Sequence, residues 1–174
     1  MLATLLVAAC AVGRKDGNRS SPTVVAPQRP EPPSAREDLL VRLERTSCFG
    51  ACPSYVIKVN TDGLVKYIGR ACVRNHGSAT RTLSARELED LHVAIDRADL
   101  NSLPDPCCSC QVDDSSSAIL GVRRAGKWTQ ITDVDGCDPP TRQLRELEDA
   151  IDRIVRSEQW VGADKDRTGG CLRL

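Results

Sequence analysis

The chain has 174 residues, which is enough for one folded domain once a leader and a linker are set apart. Basic and acidic side chains both number 24, so the net charge is zero and gives no electrostatic case for nucleic acid as a partner. Aromatic residues make up only 3% of the chain, so the core must come mainly from Leu, Ile, Val and Ala, and covalent cross-links become a useful supplement.

Residues 1–12 form a short apolar leader that contains the first of nine cysteines, Cys10. The apolar run is too short to span a bilayer, which takes about 20 residues, but its length is typical of a secretory signal. The string Val7-Ala8-Ala9-Cys10 resembles the bacterial lipobox, in which the cysteine receives a diacylglycerol. An incidental cysteine in a short leader is the alternative. We therefore predict an exported, palmitate-type lipoprotein anchored through Cys10 to a membrane of the cell envelope, on the periplasmic side or at the cell surface.

Residues 13–36 are rich in proline and poor in apolar side chains. Such a composition cannot bury enough surface to fold, and it favours an extended, semi-rigid chain. We interpret this segment as a disordered tether between the lipid anchor and a single disulfide-stapled domain at residues 37–174.

Alternating apolar and polar residues predict five strands in the folded domain. The predicted strands are residues 39–46, 55–60, 64–68, 118–123 and 127–132. Residues 61–63, with the sequence Thr-Asp-Gly, and residues 124–126, with the sequence Arg-Ala-Gly, supply turn chemistry. The strands on either side of each turn are therefore predicted to form hairpins.

Two amphipathic helices are predicted beside these strands. Ser84 and Glu87 form a capping box at the start of the first helix, which extends to about residue 99. Asp138 and Pro139 are expected to begin the second, whose buried face is Leu144, Leu147, Ile151 and Ile154. The element order predicts an α+β fold with two layers, in which a mostly antiparallel sheet of about five strands carries two helices on one face.

The string Cys48-Phe49-Gly50-Ala51-Cys52-Pro53-x-Tyr55 is compact and unusual. It resembles the signature of an uncharacterised bacterial family, a domain of unknown function found in secreted proteins and lipoproteins. The resemblance spans roughly residues 38–161, and its further positions are Asp62, Gly63, Tyr67, Gly69, Gly77, Asp114, Leu147, Ile151, Asp152 and Trp160. It implies the extent of the domain but no reaction. This chain departs from the family in having six further cysteines in the folded part.

Cys48 and Cys52 are the pair on which a functional claim depends. In an exported protein, a structural disulfide between them is the favoured interpretation. A redox-active pair needs a thiol with a lowered pKa, yet no Lys, Arg or His lies between the two cysteines, and three residues rather than two separate them. Binding of zinc or copper(I) by the two thiolates is a further alternative.

The folded domain contains eight candidates for disulfide bonds, which are Cys48, Cys52, Cys72, Cys107, Cys108, Cys110, Cys137 and Cys171. Adjacent cysteines rarely bridge each other, so Cys107 and Cys108 are expected to reach different partners among Cys72, Cys137 and Cys171. A metal cluster on Cys107, Cys108 and Cys110 is the alternative, disfavoured because thiols oxidise on export. If Cys48 pairs with Cys52, the remaining six cysteines allow fifteen connectivities.

Other strings look chemical but have simpler explanations. Residues 121–127 match a phosphate-loop spacing, but Trp128 stands where Ser or Thr must bind magnesium, so a hairpin turn is favoured. The aspartates within residues 133–138 lack the spacing of an EF-hand loop. His76 and His92, the only histidines, adjoin no recognisable nucleophile motif.

The sequence therefore predicts no catalytic residue, no cofactor and no resident metal ion. We interpret the protein as a non-catalytic interaction or structural module of the cell envelope, with the membrane, and an envelope protein or a glycan, as partners. Trp128 and Trp160 are predicted to be core or hairpin anchors. Thiol redox or metal handling through Cys48 and Cys52 is the alternative function.

Overall fold

The structure is a computed structural model that describes residues 38–100, 115–135, 142–169 and 171. Within these ranges the chain forms six strands, three α-helices and one 3-10 turn. The strands are β1 (Leu39–Arg45), β2 (Ser54–Asn60), β3 (Leu64–Ala71), β4 (Gly77–Thr82), β5 (Ser117–Arg124) and β6 (Lys127–Val134). The helices are α1 (Ala85–Ala98), α2 (Arg142–Val155) and α3 (Glu158–Val161), and the 3-10 turn is Asp164–Asp166.

The six strands form one antiparallel sheet in the order β4-β3-β2-β1-β5-β6. The first four strands make a meander, and after α1 the chain returns so that β5 pairs with β1. The predicted α+β fold is confirmed, with one strand more than expected. Strand β4 was not predicted because its sequence, Gly-Ser-Ala-Thr-Arg-Thr, has no apolar alternation and its residues lie exposed or half-buried at the sheet edge.

Helix α1 begins at the predicted capping box. The Ser84 side chain accepts a hydrogen bond from the backbone N–H of Glu87 at 3.3 Å, and Glu87 Oε2 accepts one from the backbone N–H of Ser84 at 2.8 Å. Arg81 of β4 also donates to Glu87 Oε2 at 2.7 Å. The bonds from Arg81 and Ser84 lower the pKa of Glu87 to about 2. The cap therefore also fastens the start of the helix to the edge strand.

The core lies on one face of the sheet, and α1 and α2 supply its second layer. Strand register aligns the inward-facing side chains in rows across the sheet. The central row is fully apolar apart from one phenol, and consists of Tyr67, Ile57, Leu43, Leu120 and Ile131. The buried residues that the two helices add to this core are Leu91, Ile95, Ala98, Leu144, Leu147, Ile151 and Val155.

Both tryptophans pack as the sequence predicts. Trp160 of α3 is buried and stacks on Tyr67, with ring centroids 5.0 Å apart. Trp128 lies across the β5–β6 hairpin, where the Arg123 guanidinium lies 5.8 Å from the centroid of its ring. An added Cβ at Gly121 would lie 2.2 Å from this indole, so the absence of a side chain there makes room for the ring.

A disulfide between Cys72 and Cys171 joins the end of β3 to the C-terminal segment. The two Cα atoms are 4.7 Å apart, within the usual range for a disulfide. Backbone bonds bring the segments together, because Cys72 N donates to Gly169 O at 2.7 Å and Val73 forms a β-bridge with Thr168.

This bond corrects one expectation about the cysteines. Cys107 and Cys108 were expected to bond to two of the three residues Cys72, Cys137 and Cys171. Since Cys72 and Cys171 bond to each other, only Cys137 of that set remains. The physical reason is the antiparallel bridge beside Cys72, a long-range pairing that spacing along the chain does not reveal.

Several predicted features lie outside the described residues. They are the leader with Cys10, the tether at residues 13–36, the expected helix start at Asp138 and Pro139, and the cysteines Cys107, Cys108, Cys110 and Cys137. Within the described ranges, no helix is both long enough and apolar enough to cross a membrane.

Candidate functional site

The inward face of the sheet changes from apolar to charged at one end. In the strand register, Arg45 of β1 pairs with Tyr55 of β2 on one side and with Ala118 of β5 on the other. Ala118 in turn pairs with Asp133 of β6. Each of these residues lies two positions from a member of the central apolar row, so all four side chains face the helix layer. The core therefore ends in a polar row beneath α2.

Arg45 makes the main contacts between this row and α2. Its Nη1 donates to Glu148 Oε2 at 2.7 Å, and its Nη2 donates to Asp152 Oδ2 at 3.0 Å. Burial alone would lower the pKa of Arg45, but the charges of Asp152 and Glu148 outweigh it and raise that pKa. The guanidinium is thus a permanent cation that two carboxylates of one helix hold in place.

Asp152 joins α2 to three other parts of the structure. Its second oxygen, Oδ1, accepts a hydrogen bond from Tyr55 Oη at 2.8 Å and another from Ser157 Oγ at 2.7 Å. Burial and the charge of Asp152 raise the pKa of Tyr55, so its hydroxyl remains a donor at physiological pH. With Arg45 on Oδ2, Asp152 fastens the end of α2 to β1, β2 and the turn that follows the helix.

Glu148 is the least satisfied charged group of this site. Only 3% of its side chain is exposed, and Oε1 is buried without a hydrogen-bond partner in the described part of the protein. Burial raises the pKa of Glu148 to about 7, because the charge of Arg45 offsets only part of the desolvation. Buried polar atoms are nearly always paired, so an unpaired carboxyl oxygen with a shifted pKa marks a candidate binding site.

These residues line an open cleft of about 350 Å³. Such a volume is at the lower end of the range for small-ligand sites, roughly 300–1,000 Å³. Carboxylates outnumber guanidinium groups on its walls. The acidic lining residues are Asp133, Asp135, Glu148, Asp149 and Asp152, and the basic ones are Arg45 and Arg145.

The far wall of the cleft comes from β6 and the residues around it. Asp133 exposes 7% of its side chain and lies 3.5 Å from Arg145 Nε, measured from Oδ2. Burial raises the pKa of Asp133 more than Arg145 lowers it. Asp135, just after β6, accepts a hydrogen bond from the Ser116 hydroxyl. This wall therefore adds two carboxylates to the cleft, and each of them contacts a neighbouring side chain.

The rim of the cleft includes the loop that the Cys48–Cys52 disulfide closes. The bond favoured by the sequence is present, with the two Cα atoms 5.6 Å apart. Cys52 and Pro53 line the cleft, and Phe49 within the loop exposes 62% of its surface. Phe49 is thus an exposed aromatic residue in a short, covalently closed loop, one end of which, Cys52, lines the acidic cavity.

The family model described as a domain of unknown function, DUF6438, matches residues 39–155. That interval covers about two thirds of the chain and runs from β1 to the end of α2. The chain belongs to the DUF6438 family. No curated protein matches the chain. The charged residues of the cleft, from Arg45 to Asp152, all lie inside the DUF6438 match, whereas α3 and Cys171 lie beyond it.

The structure separates the cysteine candidates into two places. Cys48 and Cys52 lie at the rim of the DUF6438 cleft, and Cys72 and Cys171 tie down the C-terminal segment. All four are in disulfides and therefore present no thiolate in this form. Across the described ranges, no group of three or more His, Cys, Asp or Glu side chains is placed to hold a metal ion.

The central residues of the DUF6438 cleft were not predicted as a site. Arg45 occupies the next inward position after Val41 and Leu43, so strand alternation would have placed it on the core side. Glu148 lies on the buried stripe of α2, between Leu147 and Ile151. The available signal was a charged residue where the pattern otherwise has an apolar one, Arg45 in β1 and Glu148 in α2. Two such residues of opposite charge indicate a buried ion pair.

Proposed function

We propose that this protein is an exported bacterial lipoprotein whose DUF6438 domain is a non-catalytic interaction module for an envelope protein. The observation that carries the interaction role is the acidic cleft with its disulfide-closed rim. A rigid concave surface beside an exposed aromatic ring has the features of a recognition site.

The contacts inside the cleft support binding rather than catalysis. Arg45 and Asp152 use their polar atoms to fasten α2 to the sheet. Asp135 accepts a hydrogen bond from the Ser116 hydroxyl, and among the described residues that line the cleft there is no histidine to complete a nucleophile–base pair. Such a network holds its groups in fixed positions, which suits preorganised recognition.

The disulfides Cys48–Cys52 and Cys72–Cys171 support the exported location. Structural disulfides form and persist in oxidising compartments and are rare in reducing ones. Together with the lipobox-like string that ends at Cys10, they favour a domain held outside the cytoplasm by a lipid anchor.

The anchor is tested by metabolic labelling of a bacterial host with an alkyne-tagged palmitate. We expect label and membrane partitioning for the wild-type chain, and loss of both for Cys10→Ser. A Cys10→Ser chain that still carries label and stays in the membrane fraction would contradict the anchor.

The interaction role is tested by photo-crosslinking in intact cells that produce the protein. A benzoylphenylalanine placed at Phe49, beside the cleft, is compared with one at Val93 on α1, which is 39% exposed. We expect an adduct of discrete mass from position 49 that is absent from position 93. Equal labelling at both positions, or none at 49, would refute a partner site at this rim.

A thiol-redox role is the second candidate, because the half-buried Cys48–Cys52 bond borders the cleft. A redox protein is expected to lose this bond to mild reductant and then to show a rapidly alkylated thiol. The interaction module is expected to keep the bond under the same conditions. Mass spectrometry of alkylated peptides after graded glutathione treatment distinguishes the two.

A further inference from the structure

We infer that the acidic cleft binds the ammonium group of a lysine side chain on the partner protein, with Glu148 as the carboxylate that receives it. This inference rests on the proposed interaction role and specifies the chemistry of the partner. It follows from the charge of the cleft, from the unpaired oxygen of Glu148 and from the presence of the disulfide-closed rim.

The charge of the cleft favours a cation. Five carboxylates and two guanidinium groups line it, so the walls carry an excess of negative charge. Arg45 is not free to attract an anion, because Nη1 and Nη2 donate to Glu148 and Asp152. Asp149 exposes 72% of its side chain and leaves a carboxylate facing solvent beside the buried pair. A positively charged ligand is thus electrostatically complementary to this surface.

The unpaired oxygen of Glu148 favours a hydrogen-bond donor within the cleft. Glu148 lines the cavity, 3% of its side chain is exposed, and Oε1 has no partner in the described part of the chain. Leaving a buried acceptor unpaired costs about 1–3 kcal/mol. A ligand N–H that reaches Oε1 removes this cost, and a charged donor gains more than a neutral one.

The ligand group that best fits one buried acceptor is an ammonium. A lysine ammonium is a compact charge on a slender four-carbon stem, whereas a guanidinium presents five donors in a rigid plane that require more acceptors. The cavity of about 350 Å³ has room for such a side chain. Phe49, exposed on the adjoining loop, is available to residues that flank the lysine in a protein partner.

The test uses the full chain with its disulfides intact and four probes, three of which are peptides that differ in a single side chain. The first is the peptide acetyl-Gly-Lys-Gly-amide, and the second and third carry norleucine or arginine in place of lysine. The fourth is N-acetylglucosamine, which represents a glycan ligand. Binding is measured by NMR titration of the isotope-labelled protein at pH 8, above the pKa of about 7 at which Glu148 ionises, with the resonances of the cleft as the readout.

We expect the lysine peptide to bind at least tenfold more tightly than the norleucine peptide, and more tightly than the arginine peptide. Glu148→Gln is expected to weaken lysine binding about tenfold or more, which is the usual effect of losing a hydrogen bond to a charged group. Glu89→Gln is the matched control, because Glu89 is an exposed residue of α1 outside the cleft. It is expected to leave binding unchanged.

A second variant covers the case in which Glu148→Gln does not fold. Asp149→Asn removes an exposed carboxylate of the same cleft and is expected to weaken lysine binding two- to threefold. Equal binding of lysine and norleucine peptides, preferential binding of the glycan, or unchanged binding in the Glu148→Gln variant would each overturn the inference. If the lysine-binding predictions fail while crosslinking at Phe49 persists, the lysine specificity is wrong and the interaction role stands. If the crosslink also fails, both are wrong.

Discussion

Replacing Glu148 by Gln should change how the stability of the protein depends on pH. In the folded protein, burial raises the pKa of Glu148 from its ordinary value of 4.5 to about 7. Between pH 4.5 and about pH 7, Glu148 therefore holds a proton in the folded state that it has lost in the unfolded chain. The stability contributed by protonated Glu148 is therefore fully present below pH 4.5 and is lost as the pH rises through 7.

The size of this effect follows from the two pKa values. Each tenfold difference in proton affinity corresponds to about 1.4 kcal/mol, so a pKa raised from 4.5 to about 7 corresponds to about 3 kcal/mol of stability lost by pH 8. Glutamine keeps the shape of the side chain and an oxygen for Arg45 but cannot titrate. The variant should therefore become more stable relative to the wild type as the pH rises from 5 to 8, by about 2.5 kcal/mol, because part of the loss has already occurred at pH 5.

Urea unfolding followed by tryptophan fluorescence measures this change, since Trp160 is buried against Tyr67 and reports on the core. The charged groups that face Glu148 and interact with it electrostatically are Arg45, Asp133 and Asp149. They are retained in both proteins, so the difference between the two stability curves isolates Glu148. Parallel curves across pH 5–8 would refute the buried, high-pKa state, and the Glu89→Gln protein should run parallel to the wild type.

Four further variants test other parts of the fold by the same unfolding assay. Arg45→Met leaves the buried Glu148 and the half-buried Asp152 of α2 without their cation and should cost about 3–5 kcal/mol, and a loss below 1 kcal/mol would contradict a buried pair between Arg45 and Glu148. Gly69→Ala places a Cβ 2.0 Å from a backbone oxygen and should cost about 3 kcal/mol. Gly77→Ala, with φ +82° but open space, should cost only about 1 kcal/mol, so equal losses would contradict the crowding at Gly69. Replacing both Cys72 and Cys171 by Ser opens a covalent loop across a separation of 99 residues and should cost about 4–5 kcal/mol, and an unchanged urea midpoint would contradict this.

Most of the fold could be predicted because its local signals agree with its global arrangement. The β2–β3 hairpin combines apolar alternation at Tyr55, Ile57 and Val59 with a Thr-Asp-Gly turn, and α1 begins at a complete capping box. The edge strand β4 could not be predicted, since its polar residues are held by pairing with β3 rather than by burial. Strand β4 forms because it pairs with β3, and the periodicity of its own sequence does not indicate this pairing.

The candidate site was harder to predict because it depends on distant residues. Arg45 and Glu148 are 103 positions apart, and only the crossing of α2 over β1 brings them together. The same holds for Cys72 and Cys171, which meet through a β-bridge. By contrast, Cys48 and Cys52 are four positions apart, and their pairing could be inferred from spacing and compartment alone.

The bond between Cys72 and Cys171 has a consequence for the lifetime of an exported protein. It spans the chain from the end of β3 to a segment beyond the DUF6438 match, and so encloses β4, α1, β5, β6, α2 and α3 in one covalent ring. A protease that cuts the backbone once anywhere within this ring opens it without releasing a fragment. The nicked halves remain joined by the sulfur bridge, so the core keeps all its parts until a reductant or a second cut separates them.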